Sequence, residues 1–299
     1  MKRSWKYGLS GLALLALIAI AYRPATQFHR FFLTACAADG PVRETELDID
    51  PQAVDLPQFY SELRAAADGR AVHELAQAQY GDERWPLLLF SPSESSAKKS
   101  ILVVAGVHGN EVSGSLAALR ALSTPAHESV VLHVLAPANP VGLRHGSRYN
   151  ALGCDINRDF KAYRTIEAQA IRAAIERVRP SIVLSLHEGP QDGVFIIGTQ
   201  STPESLLQAI TTALQARSFP LAQKNNLGMS LATPGTMVEG GFITRAKSWL
   251  GIYSLGEYTT SVGVPLITTE APWTLPSMAD RIQMQQVVLE TVVSELAKP

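Results

Sequence analysis

Two cysteines among 299 residues, Cys36 and Cys154, are too few for the disulfide framework of a small loop-rich domain, so the fold has to rest on an apolar core. Excess charge is also lacking. Lys and Arg number 26 against 27 Asp and Glu, a net charge of −1, and no basic cluster lies in the body of the chain. Without a phosphate-tracking face, nucleic acid is excluded as an expected partner. No period of a solenoid or propeller recurs along the chain. What is present is an apolar content of 46% with 18% charged residues, the balance of a globular protein with a large core. The length suits one large domain or two small ones.

The N-terminus differs from the rest. Lys2, Arg3 and Lys6 precede an uncharged apolar run of 16 residues from Tyr7 to Tyr22. That falls just short of the usual span, whose lower limit is about 17 residues. Trp5, Tyr7 and Tyr22 bracket it as interface aromatics do. More basic residues lie before the run than just after it, which predicts a cytoplasmic N-terminus and an exported body. Residues 1–22 are therefore expected to be a membrane anchor or signal, read first as an uncleaved single-pass anchor. The bacterial inner membrane is then an expected partner and the periplasm the expected location of the body. A cleaved signal is the alternative. So is lipidation at Cys36, because Leu33-Thr34-Ala35-Cys36 is similar to the lipobox of bacterial lipoproteins. Residues 23–57, with Pro24, Gly40 and Pro41, read as a tether, and 58–299 as the catalytic domain. Cys154 reads as a small packed residue, with pairing to Cys36 left open.

Within the body, strands and helices alternate. Strands are predicted at Ala71–Gln77, Pro86–Phe90, Ile101–Ala105, Val130–Leu135, Ser181–Leu186, Val194–Ile197 and Val264–Thr268. Helices are predicted at Glu111–Leu122, Thr165–Val178, Pro203–Ala216 and Met278–Ala297. This order defines an α/β fold with a mixed, largely parallel central sheet and helices on both faces.

Three strand ends carry the chemistry. The buried run Ile101–Ala105 leads into Gly106-Val107-His108-Gly109-Asn110-Glu111, where a His and a Glu three residues apart can face one point. The run Ser181–Leu186 ends in His187, and Val264–Thr269 ends in Glu270. Open α/β sheets build their sites at that edge. A lone His behind a strand is usually a hydrogen-bonded core residue. Three separate strand ends delivering His, His and Glu is a different matter, because imidazole and carboxylate are zinc ligands.

Between the first two strand ends lie Asn139-Pro140-Val141-Gly142 and Arg148-Tyr149-Asn150-Ala151-Leu152-Gly153-Cys154-Asp155-Ile156-Asn157-Arg158-Asp159-Phe160. With these, the chain resembles the zinc carboxypeptidase family from about residue 100 to residue 272, in the order of its motifs. The resemblance implies that His108, Glu111 and His187 hold one Zn²⁺ and leave a position open, and that Asp155 orients a ligand histidine. It implies that Arg148 stabilises the oxyanion, with nearby Arg144 as the other candidate. Asn157 and Arg158 would grip the substrate's terminal carboxylate, and Glu270 would act as the base. Tyrosine is left without a role, since Tyr253 and Tyr258 lie closer to Glu270 than the tyrosine of the protein-trimming members does. The stretch Ser254-Leu255-Gly256-Glu257-Tyr258 is similar to the murein peptide amidase branch. The two metal-side motifs are also shared with the succinylglutamate desuccinylase and aspartoacylase branch.

The expected activity is zinc-dependent hydrolysis of an amide next to a free carboxylate, with a small peptide, murein peptide first, as substrate. Deacylation of an acyl-amino-acid is the alternative. A non-catalytic murein- or peptide-binding module is the third reading, disfavoured because such a module needs no base opposite a metal.

Overall fold

In this computed structural model the described residues are 36, 40–41, 54–93, 99–124, 127–225, 228–240, 247 and 253–299. In chain order they form α1 (Leu56–Ala66), β1 (Arg70–Tyr80), β2 (Glu83–Pro92), β3 (Lys99–Ala105), α2 (Val112–Leu122), β4 (Val130–Leu135), α3 (Pro140–His145) and α4 (Ile166–Val178). There follow β5 (Ile182–Gly189), β6 (Phe195–Thr199), α5 (Glu204–Ala216), β7 (Thr236–Glu239), α6 (Leu255–Ser261), β8 (Leu266–Pro272) and α7 (Met278–Ala297). A short 3-10 helix, Ile156–Arg158, lies between α3 and α4. The strands build one mixed eight-stranded sheet in the order β1-β2-β4-β3-β5-β8-β6-β7.

Alternation along the central strands explains the layering. Ile101, Val103 and Ala105 of β3 point into a cluster with Leu56 and Phe59 of α1, Leu122 of α2, Ile210 of α5 and Val288 of α7. Leu102 and Val104 point the other way, against Ile171 and Ile175 of α4 and Leu255 and Tyr258 of α6. Both faces are covered, so the central strands read as near-continuous apolar runs. The parallel β4-β3-β5-β8 centre brings the C-terminal ends of β3, β5 and β8 side by side.

Four elements go beyond the sequence expectations: α1, α3, α6 and β7. Helix α1 begins at Leu56, inside the stretch expected as tether. Its N-cap Asp55 accepts from Gln58 N at 3.1 Å, and Leu56, Phe59, Tyr60 and Leu63 are buried on one stripe.

Two expectations are corrected. Among the described residues no helix is long and apolar enough to cross a membrane. The longest, α7, carries Asp280, Arg281, Glu290 and Glu295 along its length. The expected single-pass anchor, the inner-membrane partner and the membrane-tethered periplasmic location are therefore not supported. Residues 1–22, on which the expectation rested, lie outside the described residues. The second correction concerns Cys154, which is not merely packed but disulfide-bonded to Cys36. That bond occupies the sulfur that lipidation at Cys36 would need.

Candidate metal centre and active site

The site begins where β3 ends. Gly106 adopts φ +73°, a left-handed turn that redirects the chain towards His108. At Gly109 a Cβ would overlap the Gly142 and Leu143 backbone of α3, so only glycine lets this loop lie against that helix. Asn139 pins the contact. It caps α3 by accepting from Gly142 N at 2.9 Å and donates to Val107 O at 3.4 Å. Asn110 N donates to Ser147 O at 3.1 Å. The Asn-Pro-x-Gly motif thus braces the loop that carries His108 and Glu111.

His108, Glu111 and His187 are all buried and converge. His108 Nδ1 lies 2.7 Å from Glu111 Oε1 and 3.2 Å from His187 Nδ1, which is 2.8 Å from Glu111 Oε2. Ligands at about 2.0–2.1 Å from one small cation lie about 3.3 Å apart, so the donor set fits a metal ion. The far side of each ring is held as well. His108 Nε2 faces Asp155 Oδ1 at 3.1 Å, and His187 Nε2 faces Ser185 Oγ at 3.0 Å. Both rings therefore turn Nδ1 to the centre, the arrangement that outer partners enforce at metal sites.

Arg148 lies against this centre. Its Nε donates to Asp155 Oδ2 at 3.0 Å, its Nη2 is 2.9 Å from the same oxygen, and its Nη1 is 3.3 Å from His108 Nδ1. Arg144, the other candidate, is elsewhere: it pairs with Glu83 at 2.9 Å and lies over the Trp85 ring. Burial would raise the Asp155 carboxyl, but Arg148, His108 and Arg158 outweigh it and hold Asp155 well below the usual carboxylate range.

Glu270 on β8 is the register partner of His187 on β5, so the two residues share a sheet face. Burial and then the neighbouring Glu111 charge push its carboxyl well above the usual range, against Arg148 and Arg158. Arg158 is lowered chiefly by burial, with Asp155 acting in the opposite sense. Its Nη1 donates to Asn157 O at 2.8 Å. Asn157 has a structural duty too, since its Oδ1 accepts from Leu255 N at 2.9 Å at the start of α6.

Several residues escaped the sequence reading. Ser185 sits two residues before His187 on the same strand face, a signal that period-two reading could have caught. Glu239, Lys247 and the buried Glu257 form a partly buried ion cluster near Arg158, with Lys247 Nζ 2.9 Å from Glu239 and 2.6 Å from Glu257. No local motif announces it. Tyr258 packs on Phe160 with ring centroids 6.1 Å apart, in the core beneath α4 and α6.

Residues 97–220 match the family described as the succinylglutamate desuccinylase/aspartoacylase catalytic domain. Murein peptide amidase A of Escherichia coli (strain K12) is 31% identical over an alignment covering 34% of this chain and 54% of that protein. A candidate metallopeptidase from Shewanella amazonensis SB2B superposes with a TM-score of 0.68 at 23% identity, covering 87% of this chain and 99% of that one. The murein-tripeptide amidase structure from Escherichia coli O157 gives a TM-score of 0.53 at 20% identity, covering 79% and 97%. The chain spans about half the length of the curated amidase it matches. The chain thus shares the fold of these structures, and its sequence is similar to the succinylglutamate desuccinylase/aspartoacylase catalytic domain over residues 97–220 and to murein peptide amidase A over 34% of its length.

Proposed function

We propose that the protein is a zinc-dependent hydrolase that cuts an amide bond next to a free carboxylate, with murein peptide as its substrate class. The observation that carries this reading is the convergence of the His108, Glu111 and His187 donor atoms with Glu270 on the adjoining strand. These three residues would hold one zinc ion, which when bound polarises the scissile carbonyl and makes a water more acidic.

The remaining chemistry belongs to the chain. Glu270 takes a proton from the attacking water and passes it to the leaving amine, a role that its proximity to His187 supports. Arg148 faces the developing oxyanion while Asp155 anchors both Arg148 and the His108 ring. Arg158, with Asn157, binds the substrate's free carboxylate, for which a planar guanidinium is suited. The relative named as a murein peptide amidase supports the substrate class.

A second reading, deacylation of N-acyl amino acids, is favoured by the desuccinylase/aspartoacylase match over residues 97–220. One experiment separates the two: purified protein assayed on murein tripeptides and on N-acyl amino acids, with zinc and after chelation. Cleavage of the tripeptides, abolished by chelator and restored by zinc, is expected. Turnover of N-acyl amino acids alone would overturn the substrate class, and activity that survives complete metal removal would overturn the metal.

A further inference from the structure

Glu111 stands at a position that makes two demands. It is the N-cap residue of α2, where a side chain ordinarily accepts from the first free N–H groups of the helix. Here it makes no such bond, because its two oxygens face His108 and His187. The orphaned Ser113 N is satisfied from another element instead. It donates to Glu188 Oε1, the side chain of the residue that follows His187 on β5.

Glu188 points to the sheet face opposite His187, the face covered by α2 and α7, and its side chain is only 1% exposed. Its second oxygen accepts from Arg281 Nη1 of α7 at 3.0 Å. Its backbone N–H donates to Glu111 Oε2 at 3.1 Å. A single residue therefore caps α2, grips the ligand carboxylate and is itself held by a partly buried cation. Gln285, one turn further along α7, donates to His187 O at 2.8 Å and so fixes the same strand end.

We propose that Glu188 and Arg281 are positioning residues of the metal centre: they cap α2 in place of Glu111, freeing the Glu111 carboxylate for the metal. The proposal rests on the metal reading above. Neither residue touches the reacting atoms. Their effect is on how well the three ligands are preset, and outer partners of this kind change metal affinity by about 10- to 100-fold.

The test is zinc affinity of the full chain by competition with a chromophoric chelator, together with the visible spectrum of the cobalt-loaded protein. Glu188→Gln keeps an acceptor for Ser113 N but loses the charge pair, and is expected to weaken zinc about tenfold and to shift the cobalt bands. Arg281→Gln is expected to do the same, and Arg281→Lys to recover most of the affinity. Thermal unfolding of the metal-free variants provides the control for a merely structural role. Variants that lose thermal stability while keeping wild-type zinc affinity and an unchanged cobalt spectrum would overturn the proposal. A wild-type chain that takes up no zinc would overturn the metal reading itself, and the two failures are thus distinguishable.

Discussion

Glu270 and Arg158 present the same problem at the scale of single residues: an ionisable side chain taken out of water has to have a use for its charge. For Glu270, burial and then the Glu111 charge push its proton affinity up, outweighing Arg148 and Arg158. A base with a raised pKa near a metal site is suited to carry a proton from water to a leaving amine. Glu270→Gln keeps the shape and removes the base. It is expected to retain metal, measured by elemental analysis, and to lose about 10²- to 10⁴-fold in kcat. A variant that keeps wild-type turnover would remove Glu270 from the mechanism. For Arg158 the proposed partner is the substrate's free carboxylate. Arg158→Ala should cost about 2 kcal/mol or more in kcat/KM, about thirtyfold, on substrates with a free terminal carboxylate, and little on their amidated forms. Equal losses on both would defeat the carboxylate grip. The candidate donor set was legible in sequence because His187 lies in the end of β5 and His108 and Glu111 in the loop that follows β3, and a parallel sheet aligns such ends. Glu188 was not legible for the opposite reason: it follows His187 directly, and only the helix packed on the far face shows what its carboxylate does.

The elements that were legible are those whose apolar period is long and clean. Strand β4 and helix α7 have the bounds expected, and β3, β5 and β6 differ only at their ends, where polar residues such as Lys99, His187 and Thr199 continue the ladder. The short helices α3 and α6 were missed because their stability comes from tertiary contacts. Helix α3 has 6 residues and is held by Asn139 and the metal loop, and α6 has 7 residues and starts on a capping box of Ser254 and Glu257. Strand β4 also carries a testable titration. His133 lies between β2 and the parallel core with its Nδ1 2.8 Å from Ser91 Oγ. Burial, then the charges of Arg70 and His73, bring its pKa down to about 4. The folded state therefore keeps His133 neutral while the unfolded chain takes up a proton below about pH 6.5. The stability this residue contributes is fully present above that pH and declines as the pH falls towards 4. Thermal unfolding followed from pH 8 to pH 4 should show this decline, and His133→Gln should flatten it by up to about one proton's worth of slope. An unchanged slope in the variant would assign the acid sensitivity to other groups.

Across the whole molecule, the site lies where distant segments of the chain meet. His108 and His187 come from neighbouring strands, Glu270 from the next, and Arg148 to Arg158 from the connection between α3 and α4. One covalent bond fastens that connection from far outside it. Cys36 is disulfide-bonded to Cys154, directly before Asp155, across a sequence separation of 118. The sequence left this pairing open because two cysteines 118 residues apart do not reveal their distance in space. Closing a loop of this length removes chain entropy from the unfolded state, worth about 4–5 kcal/mol on the loop-length estimate. The bond also ties the segment bearing Asp155, whose carboxylate holds both His108 and Arg148. Reduction, or the pair of substitutions Cys36→Ser and Cys154→Ser, is therefore expected to lower the melting temperature by on the order of 10 °C. It should also weaken metal retention below that melting transition, because the Asp155 segment loses its tether before the sheet unfolds. Calorimetry with and without reductant, run beside zinc release at 25 °C, checks both parts. A lowered melting temperature with unchanged zinc release would confine the bond to global stability. An unchanged melting temperature would mean that the Cys36 segment adds nothing that the core does not already supply.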